Sequence, residues 1–501
     1  MKKFFYLILF MMILLWGAVS ADEPAGASSF ELAPCFGDNM IFQQNEPIRI
    51  WGTSSDEGAN VNGILGDSMA SSAVRDGKWE LSFAPRIYTS EPLTLELYGN
   101  EDCRFQSLEN INIGDVWFFI GQSNIEYTTA IAPEFEDFAS SLRGDENIRL
   151  LHVPKEGFVN DVRWRRFSRF SAYPASALGC FFSKFTSDTL GNEIPLGIVS
   201  LGYKGRPISD FLPGKSDIYQ NALSVLERFP VRGIVWYQGE ADAAQYGYYE
   251  EKLKNYIEYQ RSAKELDNAD FPFYIMELPP CFSGNEKQRQ YTDFGAVRAE
   301  TGALPLVLDN VYICPSSDLW NDPSYQNSLH PPIKYYMAQR LSLMILSKEY
   351  GLGSTDLFFG PVISEYSYAD SAGSVRIKFK NCGEGLTSNG ALLGFTVIGK
   401  NWNAINDYTV KIESADTVLI SANEDIYIVK YAADTEDVFG KSVTLSNSSS
   451  LPAAAFSVTL QSPPLSPLQR FNAAYGVYVK IALCMLLFAA LCLVSRRSQK
   501  K

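Results

Sequence analysis

The chain has 501 residues, 46% of them apolar and 13% aromatic, with a formal charge of −14. That length accommodates about three or four domains with sizeable cores. The acidic balance argues against nucleic acid as a partner and against a basic membrane-binding face.

In chain order, the N-terminus carries Lys2 and Lys3, an apolar run over 4–16 and the small residues of 17–21. This is the order of a secretory signal, and residues 1–21 are expected to be removed. Over 27–110 short alternating runs at 47–51, 79–83 and 93–97 are broken by Gly, Asp and Asn, which predicts a small all-β domain. From 111 to 352 strand-like segments alternate with helical ones, the order that builds a parallel sheet covered on both faces. Strands are predicted at 115–120, 195–201, 233–237, 273–278 and 304–308, and helices at 248–266 and 334–349. Over 353–462 alternation returns at 374–379, 408–412 and 426–431, predicting a second β-domain of sandwich type. A Pro- and Ser-rich linker at 461–467 leads to an apolar stretch at 473–494, long enough to span a bilayer, with Arg496, Arg497, Lys500 and Lys501 in the tail 495–501. The expectation is a single-pass type I membrane protein of the secretory pathway, with a lumenal or extracellular catalytic domain and a cytoplasmic tail.

Of the eight cysteines, Cys484 and Cys492 fall in the apolar stretch. Cys35, Cys103, Cys180, Cys281, Cys314 and Cys382 show no metal-ligand spacing, and an oxidising compartment would allow them to pair. No metal or cofactor is expected. The sequon Asn447-Ser448-Ser449 suits a surface loop of a secreted glycoprotein.

Chemistry concentrates where the apolar run 115–120 breaks at Gly121 into Gln122-Ser123-Asn124. A buried strand that ends at a glycine exposes the next hydroxyl at the carboxyl edge of a sheet. Only two histidines, His152 and His330, are present to serve it. His152 occupies a strand-like position in Ile148-Arg-Leu-Leu-His-Val-Pro154 and is read as structural. His330 lies in a loop, Asn327-Ser-Leu-His-Pro-Pro332, and loops on rigid scaffolds are where catalytic groups gather.

Three further stretches end strands of the central domain in the same manner: Ile198-Val-Ser-Leu-Gly-Tyr-Lys-Gly205, Gly233-Ile-Val-Trp-Tyr-Gln-Gly-Glu-Ala-Asp242, and Asp318-Leu-Trp-Asn-Asp322 running on to His330. Together with Gly121-Gln-Ser-Asn124, and in this order, they resemble the SGNH hydrolases and specifically the sialate O-acetylesterase family. Leu32-Ala-Pro-Cys-Phe-Gly-Asp-Asn-Met-Ile41, Val74-Arg-Asp-Gly-Lys-Trp79 and Asn112-Ile-Gly-Asp-Val-Trp117 extend the resemblance toward the N-terminus. It implies an α/β fold, an SGNH-type (flavodoxin-like) parallel sheet with helices on both faces, flanked by N- and C-terminal β-sandwich domains. The implied activity is that of a serine esterase removing O-acetyl groups from sialic acids. Ser123 would be the nucleophile and His330 the general base. Gly205 would share the oxyanion with the backbone of Ser123, and Gln122, Gln238 and Glu240 would line or brace the site.

Three departures from the family pattern bear on this expectation. Asp242 stands where asparagine usually completes the oxyanion hole. An ionised carboxylate about 4 Å from the oxyanion would cost on the order of 4 kcal/mol, so it must be protonated, turned away as a brace, or slow the enzyme. Asn327 stands where many members carry the aspartate that orients the histidine, which leaves Asp318 first and Asp322 next for that role. Tyr203-Lys204 replaces the usual pair before the oxyanion glycine, and Arg206, Lys204 or Lys334 would meet a sialic acid carboxylate, Arg206 best through its planar fork. The alternatives are an acetylesterase for other acetylated carbohydrates such as xylan, and a carbohydrate-binding surface protein whose esterase site has decayed.

Overall fold

The computed structural model describes residues 30–100, 103–144, 147–158, 162–243, 247–264, 271–278, 294–332, except 321–328, and 334–433 and 443–460. The leader-like residues 1–21 and the apolar stretch 473–494 lie outside them. Among the described residues no helix is long and apolar enough to cross a membrane.

The organising strand is β1 (Arg104–Gly121), in which every residue from 111 to 121 is buried. A strand buried on both faces can be continuously apolar, and Val116 to Ile120 is such a run. Its one buried acid, Asp115, accepts hydrogen bonds from Gln43 Nε2 (2.9 Å) and the Tyr350 hydroxyl (2.8 Å). The other strands of the central layer are β2 (Ile148–His152), β3 (Arg165–Arg166), β4 (Leu196–Gly202), β5 (Gly233–Tyr237), β6 (Phe273–Met276) and β7 (Val311–Cys314). They lie in the order β3-β2-β4-β1-β5-β6-β7, parallel except for the edge strand β3. On one side of β1 lies β4, with β2 and then β3 beyond it, and on the other side β5, β6 and β7 follow in order, so β1 sits at the switch point where such sheets bind ligands.

Helices cover both faces. On one, α1 (Ala177–Thr189) and α2 (Lys334–Glu349) meet through Thr186 and Ser342, 2.9 Å apart. On the other, Tyr256 of the helix over Tyr249–Ala263 lies against Trp236 of β5, ring centroids 4.7 Å apart. The expected strand at 304–308 is absent: Leu304–Leu306 is a short 3-10 turn and the strand begins at Val311. Pro305 has no N–H to give a ladder, which favours the turn.

The N-terminal strands join the same structure rather than standing apart. β1 runs unbroken through the expected boundary at 110/111, and its first half pairs with the strand over Thr89–Tyr98. Among the described residues the C-terminal part forms two four-stranded antiparallel sheets and one two-stranded sheet over a separate core. Two buried charged side chains attach it to the central domain: Glu277 accepts from the backbone N–H of Ala455 (3.0 Å), and Arg298 donates to the carbonyl of Ala432 (3.1 Å).

Two sequence expectations meet the structure here. Asn447 is fully buried; its amide nitrogen donates to the carbonyls of Phe359 and Asn381, and its oxygen accepts from the N–H groups of Ser449 and Leu451. The sequon asparagine is therefore a brace of the fold, not a surface acceptor for glycan. Cys35, Cys103, Cys180, Cys314 and Cys382 are free thiols, all buried but Cys103.

Candidate active site

Three strand ends define the rim. Gly121 pairs with both Gly202 and Tyr237, so β4, β1 and β5 stop at one level and release their loops side by side. Gly121 has no room for a side chain: a Cβ there would lie 2.0 Å from the carbonyl oxygen of Tyr237. Directly beyond it Ser123 opens a single helical turn, Ser123–Glu126. Its hydroxyl Oγ lies 2.8 Å from Nε2 of His330, across 207 residues of sequence.

Beside Ser123 runs the loop from β4. Gly205 adopts φ +71°, in the left-handed region where a side chain costs about 1–2 kcal/mol. The loop is tied down on both sides. The N–H of Tyr203 donates to the carbonyl of Gly121 (2.9 Å), and that of Lys204 to Oε2 of Glu126 (3.1 Å). Among the described residues the backbone N–H groups of Ser123 and Gly205 have no acceptor, which leaves both available to a developing oxyanion.

Asp242 braces the loop after β4, with both carboxylate oxygens engaged. Its Oδ2 accepts from the N–H of Ile208 (2.8 Å) and from Gln238 Nε2 (2.7 Å), and its Oδ1 lies 3.7 Å from the Lys252 ammonium. Gln238 also donates to the carbonyl of Arg206 (3.1 Å) and accepts from the Tyr249 hydroxyl (2.6 Å). Gln122 accepts from the N–H of Ala241 (3.3 Å). Gln122, Gln238 and Asp242 thus hold the loops after β1, β4 and β5 together.

A second network lies beside Ser123. Asn124 and Lys334 are wholly buried and Glu240 nearly so. Asn124 Nδ2 donates to Glu240 Oε1 and to the carbonyl of Leu329, while Lys334 Nζ donates to Asn124 Oδ1 (2.8 Å) and to the carbonyl of Pro331 (2.8 Å). These bonds grip the residues on either side of His330 and tie them to the turn that carries Ser123. Burial pushes the Glu240 carboxyl up to about 7 against the pull of Asn124 and Lys334, and pushes the Lys334 ammonium down to about 7 against the pull of Glu240. Neither Asn124 nor Lys334 had this role in the sequence reading. The available signal was Lys334 four residues after His330, at the first position of a helix whose inner face is apolar.

Three expected roles change. Asp318 does not orient His330: both its oxygens receive the guanidinium of Arg340, at 2.8 and 2.7 Å, which commits it to α2. Arg206 does not point a free fork at substrate, since its guanidinium is paired with Asp210 (3.1 Å) and Asp217 (3.3 Å). Lys334 is inaccessible. Asp322 and Asn327 lie outside the described residues. Of Tyr203-Lys204, the tyrosine is buried against Phe211 and only the lysine is exposed. Lys204 has no ion pair among the described residues.

The electrostatics suit a base. Burial first, then Lys334 and Lys204, lowers the pKa of His330 below its ordinary value, so the imidazole is neutral at neutral pH and can accept the serine proton. Among the described residues no group of three or more His, Cys, Asp or Glu is placed to hold a metal ion.

Residues 113–330 match the family described as carbohydrate esterase, sialic acid-specific acetylesterase. The chain is similar to the sialate O-acetylesterases of Homo sapiens and Pongo abelii, each 23% identical over 519 aligned residues covering 89% of this chain and 94% of the relative. Its fold is similar to that of a carbohydrate acetylesterase from Xanthomonas citri, with a TM-score of 0.71 and 22% identity over 86% of this chain and 99% of the other.

Proposed function

We propose that the chain, whose residues 113–330 match the sialic acid-specific acetylesterase family of carbohydrate esterases, is a carboxylic ester hydrolase whose substrate is an O-acetylated sialic acid, cleaved through an acetyl-enzyme on Ser123. The observation that carries the mechanism is the 2.8 Å contact between Ser123 Oγ and His330 Nε2, set beside two uncommitted backbone donors. Ser123 Oγ attacks the acetyl carbonyl carbon as its proton passes to His330 Nε2. The oxyanion is met by the N–H groups of Ser123 and Gly205, donors of a kind worth about 3 kcal/mol each in the barrier. The intermediate collapses and the sugar hydroxyl leaves with the proton from His330. Water, deprotonated by His330, then attacks the acetyl-enzyme, releases acetate and restores Ser123.

Sialic acid is favoured over a neutral sugar because an exposed cation, Lys204, stands next to Gly205, where it would meet a substrate carboxylate. The pairing of Arg206 with two aspartates keeps a second reading open, an acetylesterase for other acetylated carbohydrates. Assaying the protein against 9-O-acetyl sialic acid and acetylated xylan side by side decides between them: a higher kcat/KM on the first supports the proposal, and preference for xylan rejects it. The leader-like segment 1–21 and the apolar segment 473–494 support a lumenal or extracellular catalytic domain on a C-terminal anchor. Release of the full chain by alkaline carbonate would contradict the anchor.

A further inference from the structure

Strand β4 hands the chain to the rim as a tight turn. The N–H of Arg206 donates to the carbonyl of Tyr203 (3.3 Å), closing Tyr203–Arg206 into four residues. Gly205 takes the third place in it, with the positive φ that calls for glycine there. The donor offered to an oxyanion is the Gly205 N–H, which belongs to the central peptide of the turn. The two commonest forms of such a turn differ by about half a rotation of that peptide, so its aim depends on what holds the groups on either side.

Both sides are held. Beyond Gly205, the carbonyl of Arg206 accepts from Gln238 Nε2 (3.1 Å). Before it, the N–H of Tyr203 donates to the carbonyl of Gly121 (2.9 Å), and the N–H of Lys204 donates to Oε2 of Glu126 (3.1 Å). Glu126 closes the short helical turn that Ser123 opens, and this turn is wedged against the end of β4: a Cβ built on Gly202 would lie 2.5 Å from the backbone nitrogen of Glu126. The loop that carries one oxyanion donor therefore hangs on the turn that carries the other. The carboxylate of Glu126, exposed at the rim, supplies a charge-assisted part of that tie.

We propose that Glu126 is a positioning residue for the ester hydrolysis: by accepting the Lys204 N–H it keeps the 203–206 turn in the form that aims the Gly205 N–H at the point served by the Ser123 N–H. This rests on the reading of Ser123 as the nucleophile of an esterase. Glu126 acts through an oxygen that accepts from the backbone, so glutamine, which keeps such an oxygen, should serve in its place and alanine should not.

The test compares full-length wild type, Glu126→Ala and Glu126→Gln by two readouts: hydrogen exchange of the backbone amides in the peptide spanning 203–206, and kcat and KM for p-nitrophenyl acetate. Alanine is expected to speed exchange in that peptide and to lower kcat roughly tenfold, part of the hundredfold or more that full loss of an oxyanion donor costs, while KM stays within about twofold. Glutamine is expected to restore both readouts most of the way to wild type. Unchanged exchange in the alanine variant, an undiminished kcat despite faster exchange, or a glutamine variant as slow as alanine each overturns the proposal. Absence of turnover in the wild type would reject the esterase reading and the positioning role with it, whereas normal wild-type turnover with any of those three results rejects the positioning role alone.

Discussion

Lys334 Nζ donates to Asn124 Oδ1 at 2.8 Å, joining the residue after Ser123 to the helix after His330 across 210 positions. With Glu240 on the other side of Asn124, this buried bridge fixes where His330 stands relative to Ser123. Removing one partner from such a buried charged network is costly, because the groups left behind keep their desolvation penalty. Lys334→Met keeps the side-chain length and removes the donor. It is expected to lower unfolding free energy by about 3 kcal/mol and kcat by at least about tenfold. In a double-mutant cycle, Lys334→Met with Glu240→Gln should cost less than the sum of the two single changes, as measured by denaturant unfolding.

The pH profile should carry the signature of a depressed histidine. Since His330 acts as a base, the rate rises as the imidazole loses its proton, and the acid limb of kcat/KM lies below the ordinary histidine value of about 6.5. Lys204 is one of the charges that lowers this pKa, so Lys204→Gln should move the limb to higher pH. Measuring with p-nitrophenyl acetate keeps substrate charge out of the comparison. A limb that stays in place or moves down would contradict the assignment.

Asp242 is assigned to bracing the loop after β4. Asp242→Ala should loosen the loop at Ile208 and reduce kcat roughly tenfold, through displaced oxyanion donors worth about 3 kcal/mol at full effect. Asp242→Asn keeps an oxygen for Ile208 and Gln238 and should recover much of the loss. If asparagine instead raised the rate above wild type, the carboxylate would be opposing the oxyanion, not supporting its donors.

Gly205→Ala meets no heavy atom within 4 Å of its new Cβ, so crowding is not its cost. The cost is the left-handed backbone, about 1–2 kcal/mol, relieved only by turning the peptide that aims the oxyanion N–H. The expected result is a fall in kcat of at least about tenfold with little change in KM, the pattern of an interaction made in the transition state.

What the sequence made legible, and what it did not, follows from how each feature is encoded. The parallel sheet and the Ser123–His330 pairing were readable because a buried strand ending in glycine and a scarcity of histidine are local facts. Strand β5 and helix α2 fell on their expected residues for the same reason, with periodicity set by burial. The partner of Asp318 was not readable: whether an aspartate in a loop meets a histidine or an arginine depends on packing between segments, and Arg340 sits on a different element. Arg206 and Asn447 show the same limit, a charge neutralised by neighbours and a polar amide drawn inside by carbonyls that only the fold brings together.

The most direct test is the rate of p-nitrophenyl acetate hydrolysis by the purified protein and by Ser123→Ala and His330→Ala. The geometry predicts measurable turnover in the wild type and a loss on the order of a thousandfold or more in each variant. Wild-type turnover matched by Ser123→Ala would mean that the hydroxyl beside His330 is not the nucleophile.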